Sequence, residues 1–397
     1  MKYEKTTIRD AEVFGKRILL RCDFNVPLDK ESGEITSDKR IVASIPTIKY
    51  LLERGGRVIV CSHLGKPKGE VKPELSLKIV ANRLSELLGM PVAFAADVAG
   101  QESKRLSQAL ENGQIMLIEN LRFDPDETKN DPDFARRLSE LAELYVSDAF
   151  GTVHRAHAST VGVASYLPAY AGFLVEKELS VMGKALEAPR RPFVAILGGS
   201  KVSDKIGVIS NLIDKADTIL IGGGMSYTFM KAMGLEVGKS LMEADKITLA
   251  KELIEKAKAK GTELVLPMDY AIGSHFAPDC EKKIVSKEEI PADWMGLDIG
   301  GETIKLYQEK IKTAGTVIWN GPMGVFEFPA FADGTNAVAK ALSESDAVTI
   351  VGGGDSAAAV EQMGYADKMT HISTGGGASL GLLEGRELAG IACLPDK

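Results

Sequence analysis

Residues 148–160 read DAFGTVHRAHAST and set His154, Arg155 and His157 close together in a chain with only five histidines and a formal charge of −7. Three chemistries are open to such a cluster: metal ligation, general-base catalysis and anion binding. Metal is the poorer fit. His154 and His157 are spaced i, i+3, but Arg155 lies between them and no cysteine or third histidine is nearby. A cation beside a fixed guanidinium is electrostatically unfavourable. A Ser-His-Asp device has no support either, because no G-x-S-x-G elbow is recognised in the chain. Arginine suits phosphate, since its planar fork reaches two oxygens at once. The cluster reads as an anion-binding surface.

Other segments share this character. RCDFNVPLD carries Asp23, Phe24 and Asn25, with Asp23 and Asn25 on one side of an extended chain. SHLGKP carries His63, Leu64, Gly65 and Lys66, ENLRF carries Glu119, Asn120 and Arg122, and Arg40 opens the helix after the first loop. Each taken singly is explained by turn capping or a solvated face. Four successive strand exits of one kind fit a small, multiply charged, hydroxylated anion better.

The second half repeats an apolar strand, then glycines, then a helix: VAILGGSKVSDK, TILIGGGMSYTF, VTIVGGGDSAAAVE and HISTGGGASLGLLEG. Glycine lets phosphate approach the backbone, and a helix N-terminus offers free N–H groups. Packing alone accounts for IGGGMS. Lys201 and Lys205 are placed i, i+4 on one helical face, and Asp355 with Ser356 starts a helix where a carboxylate could hold Mg²⁺. Glu327, in VIWNGPMGVFE, could accept hydrogen bonds from ribose hydroxyls or be a plain surface charge. GLEVGKS (234–240) fails as a Walker A loop, being one spacer short with Met233 at the needed glycine. GGGASL fails the dinucleotide fingerprint, with Leu380 at the third glycine.

These residues need elements to hold them at strand ends. The apolar runs RILLRC, RVIVC, IMLIEN, LYVSD, FVAIL, TILIG, ELVLP, TVIWN and AVTIVG alternate with helical patterns, one carrying Ile41, Ile45, Ile48 and Leu52. That alternation predicts parallel sheets covered on both faces, where ligands bind beyond the strands' carboxyl ends. At 397 residues the chain predicts two domains. A helix with Val175, Leu179, Met182 and Leu186 on one stripe joins them. A crossover helix within one sheet is the alternative reading of that stripe.

Composition excludes several classes. A 26% charged, mildly acidic chain offers no general field for nucleic acid or anionic membranes. MKYEKTTIRD lacks the apolar core of a secretory signal, and the uncharged run 158–175 is broken by Ser, Thr, Gly and Pro168. Cys22, Cys61, Cys280 and Cys393 lie far apart, and the first two sit in apolar runs. Reduced, buried thiols and a cytoplasmic location are the expectation.

RCDFNVPLD, SHLGKP, ENLRF, DAFGTVHRAHAS, GGSKVSDK, NGPMGVFE, GGGDS and STGGGAS occur in an order and spacing that closely resembles the phosphoglycerate kinase family. The resemblance spans nearly the whole chain. It implies two doubly wound α/β domains facing a cleft: residues 1–171 with about 377–397, a connecting helix over 172–188, and 189–376. It implies reversible phosphoryl transfer from 1,3-bisphosphoglycerate to Mg-ADP, giving 3-phosphoglycerate and ATP. Implied 3-phosphoglycerate ligands are Asp23, Phe24, Asn25, Arg40, His63, Leu64, Gly65, Lys66, Arg122 and Arg155. Implied nucleotide ligands are Lys205, Gly296, Glu327, Gly353, Gly354, Asp355 and Ser356, with Asp355 on Mg²⁺. Arg40, Lys201, Gly375 and Gly376 are the groups implied to stabilise the phosphoryl group in flight. Lys66 departs from the arginine common there, which leaves its contact open. The partners implied are these small molecules, with a monomer expected and neither nucleic acid nor membrane. Another nucleotide-linked sugar-phosphate enzyme and a non-catalytic nucleotide-binding regulator are the competing readings.

Overall fold

The protein is described from a computed structural model that covers residues 3–397. Two compact units divide it, one running to Ser180 and resuming at Glu387–Lys397, the other Val181–Arg386.

The first unit holds β1 (Arg17–Arg21), β2 (Arg57–Cys61), β3 (Ala93–Ala95), β4 (Ile115–Ile118), β5 (Leu144–Ser147) and β6 (Ala169–Ala171). All pair in parallel, in the order β3-β4-β2-β1-β5-β6. β4 and β5 are buried along their whole length. That burial is why they read as unbroken apolar runs rather than alternating ones. In the helix Lys39–Glu53, Ile41 and Ile48 enter the core while Ile45 and Leu52 pack half-buried at its edge. Cys22 and Cys61 are buried free thiols, and burial pushes the Cys61 thiol up to about 12.

The second unit holds β7 (Phe193–Leu197), β8 (Thr218–Ile221), β9 (Glu263–Val265), β10 (Asp269–Gly273), β11 (Lys282–Ser286), β12 (Met295–Ile299), β13 (Thr316–Asn320), β14 (Val348–Gly352) and β15 (His371–Ile372). Six make a parallel sheet, β15-β14-β13-β7-β8-β9, and three an antiparallel sheet, β11-β10-β12. The antiparallel sheet was not legible in the sequence, because its strands carry Asp, Lys and Gly within short apolar stretches. Both units are doubly wound α/β structures. Chain order reverses between β1 and β5 in one sheet and between β7 and β13 in the other, and such reversals open a crevice for ligands.

The helix Phe173–Glu187 buries Val175, Leu179, Met182 and Leu186, as its stripe requires. The tail belongs to the first unit only from Glu387 onward. Residues from about 377 had been expected there, but the helix Gly377–Leu383 packs on Ile206–Ile213, where Asn211 Nδ2 donates to Leu383 O at 2.7 Å. Beyond it, Gly390 N donates to Val153 O at 2.8 Å and Thr6 N to Pro395 O at 2.9 Å. Among the described residues no helix is long and apolar enough to cross a membrane.

Asp148 follows β5 and starts the linking helix, its Oδ1 accepting from Leu174 N at 2.8 Å and Val175 N at 3.4 Å. A Cβ on Gly172 would lie 2.2 Å from that oxygen, so the turn needs glycine. Burial pushes the Asp148 carboxyl up to about 7, against hydrogen bonds that favour the charge. Below about pH 7 the folded protein therefore keeps a proton that the unfolded chain releases near pH 4, and this group makes stability fall as pH rises across that window. Asp148→Asn keeps the accepting oxygen and removes the titration. From about pH 5 to about pH 8 the urea midpoint of the variant should shift upward relative to the shift shown by the wild type.

Candidate active site

At the carboxyl end of the first sheet the expected anion ligands converge, some held by backbone and some by neighbouring side chains. Arg40 Nη1 donates to Asp23 Oδ2 at 2.5 Å. Asn25 Oδ1 accepts from Gly65 N at 2.8 Å, and Arg122 Nη1 donates to Gly65 O at 2.8 Å. Gly65 has φ +62, and a Cβ there would meet Leu75 Cδ2 at 2.9 Å. Phe24 N donates to Ser62 Oγ at 2.8 Å, and Phe24 and Leu64 are buried in the core. Their part in the surface is thus their backbone. Arg155 is exposed, its Nε donating to His154 Nε2 at 3.1 Å. Lys66 is exposed and makes no ion pair with any described residue.

Asn120, already marked at its strand exit, ties three segments, accepting from Leu64 N and Arg122 N and donating to Leu64 O and Leu75 O at 2.8 to 3.2 Å. Two organising residues, Arg21 and Glu127, were missed from sequence. Arg21 is only 1% exposed and Glu127 likewise 1%. The signal for Arg21 was a charge closing an otherwise apolar strand. No local pattern marked Glu127.

The electrostatics make His63 and His157 weak bases. Burial holds His63 well below the usual imidazole range, and Arg21, Arg122, Arg155 and Arg40 add to the effect. Burial, then Arg122, Arg21 and Arg155, hold His157 down to about 4. Both rings are neutral at physiological pH, as donors and acceptors rather than proton carriers.

In the second unit the exits of β7 and β13 are pressed together. Gly198 N donates to Asn320 O and Gly199 N to Pro322 O, each at 3.1 Å. A Cβ on Gly198 would lie 2.1 Å from Pro322 O, and one on Gly321 2.2 Å from Gly198 O. Gly223, of the IGGGMS segment, packs as closely on Gly199 and Pro322, so packing does explain that segment. The result is a polar cleft of about 320 Å³ floored by backbone and reached by Lys201, Lys205, Gly353, Gly354, Asp355 and Gly376. Beside it opens an apolar cavity of about 660 Å³, which shares Asp355 and is lined by Gly296, Glu327, Tyr227 and Phe276.

Three readings need correction. Lys201 and Lys205 do not share a helical face, because the helix begins only at Ile206. Ser203 holds the preceding turn open by bonding Glu243 through Oγ at 2.5 Å and N at 3.0 Å. Both lysines still line the cleft; Lys201 is exposed, whereas Lys205 is bonded to Asn320 Oδ1, and burial lowers its pKa. Gly376 lines the cleft, but the Gly375 N–H is directed to Ser373 Oγ at 3.2 Å. Ser356 lines the cleft as well, and its hydroxyl accepts from Gly321 N at 2.6 Å. Contrary to expectation the chain does contain one G-x-S-x-G string, GASLG (377–381), but Ser379 is buried and bonded to Ser373, so no exposed nucleophile results. Gly296 lies on β12, where a Cβ would strike Tyr227 Oη at 2.0 Å.

An arginine-lined anion surface on one doubly wound unit and a backbone-floored cleft on the other define an enzyme of phosphoryl transfer. The phosphoglycerate kinase family model matches residues 8–386. Phosphoglycerate kinase of Clostridium novyi is 58% identical with full coverage of both chains, and that of Clostridium tetani 57%, over 100% of this chain and 99% of its own. Among solved structures, the Coxiella burnetii phosphoglycerate kinase superposes with TM-score 0.92 at 40% identity. The Pyrococcus horikoshii enzyme gives 0.80 at 33%, and each comparison covers 98% of both chains. The chain belongs to the phosphoglycerate kinase family. Its reaction is the glycolytic phosphotransfer, 1,3-bisphosphoglycerate with ADP to 3-phosphoglycerate with ATP, and the reverse.

The backbone contact at the two strand exits makes a sharp expectation. Gly198→Ala should lower stability by about 3 kcal/mol in urea unfolding, since the added methyl meets backbone that cannot rotate away. Gly301→Ala, where nothing lies within 4 Å, serves as the control and should leave the midpoint near wild type.

Proposed function

We propose that the two reactants are divided between the units. The first unit takes 3-phosphoglycerate through Asp23, Asn25, Arg40, His63, Arg122 and Arg155, with Lys66 adding a flexible point charge. The second takes the nucleotide, its phosphates over the glycine floor and its base and ribose in the apolar cavity with Gly296 and Glu327. The observation that carries this is the adjacency of a polar, glycine-floored cleft to an apolar cavity, with Asp355 common to both.

A nucleotide's Mg²⁺ suits this site. Asp355 is an exposed carboxylate at the start of a helix, and Asp204 lines the same cleft. Among the described residues no group of three His, Cys, Asp or Glu side chains is placed to cage a metal alone. Mg²⁺ habitually completes its shell with phosphate oxygens and water, so one carboxylate suffices. The ion would neutralise phosphate charge there.

In the ATP-forming direction the leaving group is a carboxylate, and in reverse the nucleophile is a carboxylate already ionised at neutral pH. No general base is required, which suits a site whose histidines stay neutral. The chain's task is to hold the reactants in line and meet the charge on the transferred oxygens. Arg40, Lys201 and the Gly376 backbone are of the right type for it. A cytoplasmic location accords with four free cysteines, three of them buried, and a monomer is the proposed form.

Chemical-shift or protection mapping tests the division. ADP alone should perturb the Lys201, Glu327 and Asp355 segments most, and changes centred on Asp23 and Arg122 would refute it. Lys201→Ala should lower kcat by about 100-fold or more while either KM changes far less, as expected of a charge met mainly in the transition state. A loss confined to the nucleotide KM would make Lys201 a ground-state ligand only.

A further inference from the structure

Behind the anion surface runs a buried chain of hydrogen bonds that the reaction itself does not call for. Glu127 accepts from Ser159 N at 3.0 Å and from Ser159 Oγ at 2.5 Å. Arg21 Nε donates to Ser159 Oγ at 2.9 Å, and Arg21 Nη2 lies 3.2 Å from His63 Nδ1. All four residues are nine-tenths or more buried.

Counting hydrogens fixes every direction in this chain. A guanidinium has only N–H groups to offer and stays charged. Ser159 Oγ must therefore accept from Arg21 and spend its single hydrogen on Glu127. A protonated Glu127 oxygen at that position would instead donate to the hydroxyl and strand the hydroxyl's own hydrogen, so the carboxylate is ionised. Burial pushes the Glu127 carboxyl up, while Arg21 and the two Ser159 bonds oppose that push. At the other end, His63 Nδ1 can only accept from Arg21, so the ring's one proton sits on Nε2.

We propose that Glu127, Ser159 and Arg21 are positioning residues that lock His63 in its Nε2–H tautomer, presenting a neutral hydrogen-bond donor at the anion surface. Arg21 on β1 contacts the ring, and the charges of Arg122 after β4, Arg155 after β5 and Arg40 on the helix after β1 also act on it, all cationic. A ring free to invert would present a lone pair to an anion instead, a repulsive contact. Its use as a ligand rests on the division of reactants proposed above; the tautomer rests on the hydrogen bonds alone.

Nitrogen-15 spectra of imidazole-labelled enzyme test this, with the His63 resonances assigned by their loss in His63→Gln. The wild type should show a non-protonated Nδ1 and a protonated Nε2, unchanged between about pH 5.5 and about pH 8. A proton on Nδ1, or titration of the ring within that range, overturns the proposal whatever the variants do. Glu127→Gln is nearly isosteric, but its amide N–H₂ must point at Ser159 Oγ, because the backbone N–H claims the carbonyl. That reverses the donor direction and displaces Arg21. Mixed tautomers should follow there and in Ser159→Ala, with the 3-phosphoglycerate KM raised about tenfold and saturating kcat changed less than about twofold. A folded Glu127→Gln protein that kept the wild-type nitrogen pattern would overturn the relay. Mixed tautomers with an unchanged KM would uphold the relay and overturn His63 as a ligand.

Discussion

The close approach of two peptide backbones where β7 and β13 leave their sheet is the constraint from which the second unit's site follows. Gly198 and Gly321 touch through atoms that no side chain could separate. Their contact turns the crevice at the reversal of strand order into a floor of backbone rather than of side chains. Once that floor is set, Asn320 at the end of β13 can hold Lys205, and Ser356 can anchor Gly321 from the helix that follows β14. The N–H groups left over are neutral, fixed in direction, and need no reorganisation when a phosphate arrives.

The first unit meets the same problem at its own reversal point with the opposite means. Its crevice between β1 and β5 is furnished with guanidinium groups, whose mutual repulsion has to be managed. Asp23 pairs with Arg40, and buried Glu127 faces Arg21 through Ser159. The histidines contribute no further charge, because burial and the arginines keep them neutral. A hydroxylated anion gains orientation from such forks, whereas a polyphosphate brought with its own cation is better served by backbone. The two surfaces thus differ as their expected ligands do.

How much of this could be read beforehand depended on the range of each interaction. Parallel strands covered on both faces announce themselves as unbroken apolar runs, so β1, β2, β7, β8, β13 and β14 were legible. The sheet β11-β10-β12 was not, since half-exposed strands such as Lys282–Ser286 carry no such signature. Strand-end residues were found because their neighbours in sequence share one chemistry. Glu127 escaped because its partner is Ser159, thirty-two positions away. Lys201 and Lys205 were put on one helical face because their spacing fits one; the bonds from Ser203 to Glu243 delay the helix, and those are tertiary. The direction of the Gly375 N–H was hidden for the same kind of reason, since it meets a serine that only the folded turn brings near.

The difference between the two lysines bears on which of them can answer a charge that exists only in passing. Lys205 is largely buried and committed to Asn320, so moving it toward a phosphate means breaking a bond inside the protein. That bond holds the cleft together, and in the proposed site Lys205 would serve ground-state attraction. Lys201 stands exposed at the rim, with no bond to any described residue to give up. A long, solvated ammonium can follow charge as it shifts from one oxygen to another, and the gain appears where that charge is greatest. Uniform attraction belongs to the residue held in place, and differential attraction to the one left free.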